Sequence, residues 1–286
     1  MRTSFRLTLA SLWLILMLPG AACAGEAPTR LFVLSQGRAL ALANIDRGKF
    51  SPFKLALEGK NSDGETSFRD AGLVPPGTQL HIYQSGRQAG LAAAGDTAVQ
   101  PGSGCSEGDY VSLAALPGQP RLEDGIAATK ALRKPDASSV REPVASEGAL
   151  GQRMADSLLR KRGVAVALRA HLRKEMKIRL ATLQDNAAPV MIASSAYEND
   201  GQVHSLFFVA EKRVGGYAPT YVRFYSGAQG QGAEYSADYV DHADLDGDGH
   251  AEIVLLVGIH EEADYLILRK RGGQWHEELR AFRNGC

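Results

Sequence analysis

The stretch "ADLDGDGHAEIVL" (Ala243–Leu255) sets Asp244, Asp246 and Asp248 at alternate positions, with Gly247 and Gly249 among them and Glu252 just before an apolar run. From Phe224 to Leu268 there is no lysine or arginine, while ten acidic residues occur. Carboxylates crowded this closely repel one another and raise each other's pKa unless a cation sits among them. A hard divalent ion such as Ca²⁺ takes about six to eight oxygens in irregular geometry. Alternate side chains of a tight loop can supply three of them. The expected metal ligands are therefore Asp244, Asp246, Asp248, the backbone carbonyl of His250, and Glu252. Glycine at 247 and 249 allows the positive φ angles that wrap a loop around an ion.

An EF-hand is excluded by spacing. Counting from Asp244, the twelfth position is Leu255 where a bidentate glutamate belongs, and the eighth is Ala251. A strand, not a helix, is expected to follow. The pattern Asp-x-Asp-x-Asp-Gly-x-x-Glu before a hydrophobic run resembles instead the calcium loops of FG-GAP (integrin-α-like, VCBS) repeat proteins. That resemblance implies propeller-blade-like antiparallel repeats with Ca²⁺ bridging strand ends, and a role in adhesion or carbohydrate contact. This chain lacks the Phe-Gly…Gly-Ala-Pro signature and places glutamate where an aspartate usually ends the loop.

Other chemistry is sparse. His260 and His276 each precede Glu-Glu, but no second histidine follows four residues on, so the zinc-helix pattern is absent. His242, beside the acidic loop, reads as a strand-edge surface residue. Trp275 reads as core, with a sugar platform as the alternative. No nucleophile elbow, phosphate loop or dinucleotide fingerprint occurs. No catalytic residue is assigned, and a hydrolase would have to be built from scattered acids such as Glu261, Glu262 and Asp264.

The elements that must position the loop form two degenerate copies. "RLATLQDNAAPVMIASSAY" (179–197) aligns with "DHADLDGDGHAEIVLLVGIH" (241–260), pairing Leu183 with Leu245 and Val190 with Ile253. Further on, Gly216 aligns with Gly273, Phe224 with Phe282 and Gly227 with Gly285. Each copy should be a strand, a polar turn, a buried strand and a hairpin about Gly-Gly. The first copy has lost its aspartates to "QDNAAP". Before the repeats, Leu150, Met154 and Leu158, then Val164, Leu168, Leu172 and Met176, recur every four residues. This spacing predicts one helix broken near Gly163, or two in succession. Eight basic residues and one acidic one lie between Arg160 and Arg179. That run reads as a solvated helix face, the alternative being attachment to an anionic envelope surface.

Residues 25–116 alternate short apolar runs with turn residues, as expected of a small β-barrel or sandwich. Ser35-Gln36-Gly37-Arg38 should be a hairpin turn, and Pro75-Pro76-Gly77 a tight corner. Residues 117–148 carry four prolines and read as a linker with a short helix near Ile126–Arg133, leaving 149–286 for the helix and repeats. The whole is mainly β with a helical segment, α+β overall.

At the N-terminus, Arg2 and Arg6 precede the apolar Leu7–Leu18, and "ACA" (22–24) fits a signal cleavage site, so residues 1–24 read as a signal peptide. The apolar run is too short for a comfortable membrane span, so no transmembrane segment is expected after processing. The alternative processing is lipidation at Cys23. The expected location is periplasmic or secreted, where Cys105 and Cys286 could pair, or could be unrelated thiols. With 32 basic and 32 acidic side chains the net charge is zero, which gives no pull toward nucleic acid. The reading as a whole is an exported bacterial calcium-binding β-repeat scaffold for an unidentified protein or glycan partner.

Overall fold

The computed structural model describes residues 27–53, 74–98, 106–107, 110–115, 122–132, 139–228, 230, 234–259 and 262–285. It is mainly β with two helices, in four layers. Residues 1–24, which were expected to be a signal peptide and include Cys23, lie outside the described residues, as do Cys105, Cys286, His260 and Glu261.

The first layer is a closed six-stranded antiparallel barrel. Its strands are β1 (Thr29–Ser35), β2 (Arg38–Asp46), β4 (Gln79–Gln84), β5 (Arg87–Ala98), β7 (Tyr110–Ala115) and β8 (Gly125–Ala128), with the short β3 (Lys49–Ser51) on the flank of β2. The ring runs β1-β8-β4-β5-β7-β2 and closes through β1–β2. Two turns form as their residues dictate. Gln36 and Gly37, both at positive φ, make the two-residue hairpin between Ser35 and Arg38. At the Pro75 corner, Thr78 N donates to Pro75 O at 3.1 Å with Gly77 at φ 83°.

The short helix expected near Ile126–Arg133 is not there. Gly125–Ala128 is a fully buried strand between β1 and β4. Gly125 is obligatory, because a Cβ there would lie 2.2 Å from the Tyr83 carbonyl oxygen. Strand pairing on both sides overrides the weak local preference.

Two helices follow, α1 (Ala145–Lys161) and α2 (Val166–Lys174), separated by Gly163 at φ 74°. The deepest stripe of α1 is Gly151, Ala155 and Leu159, one residue beyond the expected Leu150–Met154–Leu158 series. Small residues let the helix approach the sheet closely; a Cβ on Gly151 would meet Ile178 Cδ1 at 2.7 Å.

The repeats are two four-stranded meanders of the same topology. One is β10 (Lys177–Thr182), β11 (Val190–Asn199), β12 (Gln202–Arg213) and β13 (Gly216–Ala228), with β9 (Ser139–Arg141) added beside β10. The other is β14 (Glu234–Ala243), β15 (Glu252–Ile259), β16 (Glu262–Arg271) and β17 (Gln274–Gly285), with β6 (Ser106–Glu107) added beside β17. Bulges fall at Val209/Ala210 and at Ile267/Leu268, equivalent places in the two copies. The hairpins equate Gly215, rather than Gly216, with Gly273, since Arg213 pairs Gly216 as Arg271 pairs Gln274.

The copies stack in the same sense. Phe207 and Leu183 face the second copy, while their counterparts Tyr265 and Leu245 face the barrel. Likewise Phe208 faces the helices and its counterpart Leu266 faces the first copy. The helices therefore cover the open face of the first sheet and the barrel covers that of the second. β15 is buried on both sides, with Ile253, Leu255 and Val257 toward the first copy and Val254 toward the barrel. This is why it reads as a continuous apolar run.

Candidate metal centre

The acidic loop joins β14 to β15 and is wedged against the barrel. A Cβ on Gly48, in the β2–β3 turn, would lie 3.7 Å from the Asp246 carbonyl oxygen. Its equivalent in the first copy is the 183–189 loop, and the two loops are tied by Ala251 N donating to Leu183 O at 2.7 Å.

The loop's own amides organise its carboxylates. Asp244 accepts from Gly247 N at 2.8 Å through Oδ1 and from Gly249 N at 3.0 Å through Oδ2. Asp246 Oδ1 accepts from Asp248 N at 3.1 Å, and Asp248 Oδ1 from His250 N at 2.8 Å. Glu252 Oε2 accepts from Leu245 N at 2.8 Å, which closes the loop at its base. Gly247 and Gly249 sit at φ 81° and 92°, the left-handed region anticipated for them.

Among the described residues, Asp244, Asp246 and Glu252 each present an oxygen, all within 4.8 Å of one another. Asp248 does not join this group and its side chain is 38 % exposed. His250 is exposed, with its ring 3.5 Å from Asp248 Oδ1. Burial, and then the charge of Asp246, push the Glu252 carboxyl up to about 9. Burial likewise raises Asp246, whose side chain is 1 % exposed.

A positive side chain does enter the loop, contrary to expectation. Arg269, one residue past the lysine- and arginine-free window, contacts Asp246 and lies 3.3 Å from Asp248 Oδ2. β16 runs antiparallel to β15 and carries Arg269 back to the loop end of the sheet. One guanidinium against four carboxylates still leaves the cluster negative.

Asp241, three residues before the loop, is a second group that the motif reading passed over. It pins β14 to the barrel: Oδ1 accepts from Gly86 N at 2.9 Å, His242 N at 2.8 Å and Tyr239 Oη at 3.3 Å. Its Oδ2 is buried with no hydrogen-bond partner, and burial raises the carboxyl to about 7. His242 is no surface residue. It is 0 % exposed, its Nδ1 is 2.7 Å from Tyr239 Oη, and burial lowers it to about 4, so the ring is neutral.

Trp275 is core, as expected, with Nε1 donating to Glu211 Oε1 at 2.9 Å. The neighbouring cavity, between Leu183, His250 and Lys270, has a volume of about 170 Å³. Of the scattered acids, Asp264 is held 3.3 Å from Arg280 Nη1 and Glu262 is exposed at the start of β16. The basic helix run is partly engaged: Arg169 pairs with Asp156 at 3.0 Å, and Arg162 lies over the Phe224 ring. Among the described residues no helix is long and apolar enough to cross a membrane.

No protein-family model, no curated protein and no solved structure matches this chain.

Proposed function

We propose that the chain is an exported scaffold or binding module for a protein or glycan partner, in which Ca²⁺ has a structural role at the β14–β15 loop. The observation that carries the reading is the convergence of Asp244, Asp246 and Glu252 on one point, where, among the described residues, Arg269 is the one cation in contact with the buried Asp246 side chain. Oxygen-only donors of this kind suit a hard cation, and carboxylates crowded in a partly buried loop repel one another unless positive charge balances them. Asp248 and the His250 carbonyl complete the proposed set from the outer side of the loop. Because the loop abuts the barrel turn at Gly48, an ion there would hold the barrel and the repeats in one arrangement.

The test is thermal unfolding with and without calcium. At free calcium about 100 times Kd, binding adds about 2.7 kcal/mol. For a chain of this size that raises Tm by about 5–10 °C. Asp246→Ala should abolish the rise. An identical melt in chelator and in millimolar calcium would remove the basis for the reading.

We also propose a Cys105–Cys286 disulfide, in keeping with export. Both cysteines lie outside the described residues, and support comes from their neighbours. β6 meets the end of β17 with Glu107 opposite Asn284 and Ser106 opposite Gly285, so the strands that adjoin the two cysteines in sequence pair with each other. A bridge closing so long a loop contributes about 5 kcal/mol on the chain-entropy account. Non-reducing peptide mapping of the mature protein should recover the two cysteine peptides linked. Two thiols that alkylate freely in denaturant would exclude the bridge.

A further inference from the structure

The role of Arg269 rests on the calcium reading. Its side chain is 14 % exposed and reaches three of the acids: Nη2 contacts Asp246 Oδ2, Nη2 lies 3.3 Å from Asp248 Oδ2, and Nε lies 3.7 Å from Glu252 Oε1. It also touches the barrel. Nη1 donates to the Gly48 carbonyl at 3.4 Å, and Cζ lies 5.9 Å from the centre of the Phe50 ring.

The fit is poor in a specific way. A guanidinium is a planar fork that suits a single carboxylate approached edge-on, with two parallel hydrogen bonds. Here the buried Arg269 Nε lacks a hydrogen-bond partner, and Nη2 is divided between Asp246 and Asp248 instead of pairing with one carboxylate. The oxygens of Asp244, Asp246 and Glu252 converge from three residues on one point rather than presenting one flat face. Convergence on a point suits a sphere, and a divalent ion brings twice the charge. Arg269 covers the Asp246 oxygen that such an ion would need.

We propose that Arg269 is a resident counter-ion that competes with a divalent cation for the oxygens of Asp246 and Glu252. Ion binding expels the guanidinium from the loop and releases its contacts with Gly48 and Phe50. The metal-free loop is thereby kept folded, at the expense of affinity, because every binding event must first displace Arg269. The same exchange connects the ion to the β2–β3 turn of the barrel.

Calorimetric titration of the full mature chain with CaCl₂ tests this, comparing the wild type, Arg269→Gln and Arg271→Gln. Arg271 is exposed and pairs with Glu278, so its replacement makes the same change in net charge away from the loop. Arg269→Gln should bind calcium at least tenfold more tightly than the wild type, with Arg271→Gln within twofold of it. Equal or weaker binding by Arg269→Gln overturns the competition while leaving the calcium reading in place. No uptake by any of the three overturns the calcium reading and this inference with it. Should Arg269→Gln lack the wild-type circular dichroism, the wild type alone decides. The Nε–H resonance of Arg269 should pass into fast exchange with water as calcium saturates, and an unmoved resonance in the calcium-bound protein overturns the proposal.

Discussion

Replacing Phe207 by alanine is expected to destabilise the protein by about 3–5 kcal/mol, the range for emptying a buried aromatic site. Its side chain is 1 % exposed between the two repeat sheets, and its ring meets that of Tyr221 edge-on, with centroids 6.1 Å apart. Phe208→Ala should cost a similar amount through a different interface, because successive strand residues point to opposite faces and Phe208 packs under the helices. The two variants are separable by trypsin. Phe208→Ala should hasten cleavage after Arg160 and Lys161 at the end of α1, whereas Phe207→Ala should leave that site as slow as in the wild type. Urea denaturation reads the energies. A loss below about 1 kcal/mol for Phe207→Ala would be incompatible with tight stacking of the two copies.

Asp241→Asn should change how stability depends on pH. The Asp241 carboxyl is raised from 3.8 to about 7 in the folded chain, so the native state holds this proton more tightly than the unfolded state. The stability it confers is therefore complete in acid and is lost as pH climbs through the interval from about 4 to 7. A rise of about three pH units corresponds to about 4 kcal/mol. His242 and Glu252 also titrate across this range, so the informative quantity is the difference between wild type and variant, in which their contributions largely cancel. Measured by urea denaturation at pH 4, 6 and 8, the wild type should lose about 4 kcal/mol relative to Asp241→Asn across the series. A constant difference would mean that Asp241 titrates in the folded chain as it does in the unfolded one.

What was legible in the sequence was local. The Gln36-Gly37 and Pro75-Pro76-Gly77 turns, the break at Gly163 and the left-handed glycines of the acidic loop follow from φ preferences that need no tertiary context. The doubling of the meander was legible too, because Gly-Gly hairpins and buried apolar strands leave residue types that survive divergence. What escaped depends on distant partners. β8 is four small or apolar residues in a proline-rich span, and only β1 and β4 on either side make it a strand. The α1 contact stripe lies one residue beyond the large apolar series, since close packing selects glycine and alanine there rather than large side chains. His242 occupies in the second copy the place that Leu180 holds in the first, and a polar residue gives no sign from sequence that it is buried. Arg269 is not legible from the charge of the surrounding chain, because a hairpin returns the chain to the loop from the neighbouring strand.

Most repeat folds solve the problem of their two exposed ends by closing into a ring or by adding terminal caps. Here the helix pair and the barrel are two unlike bookends, and the faces they press against are those that another copy of the meander would press against. Nothing in the geometry between them counts to two. A lineage could lengthen or shorten such a shelf by whole units while leaving both bookends untouched, and one unit could lose its aspartates while its neighbour kept them.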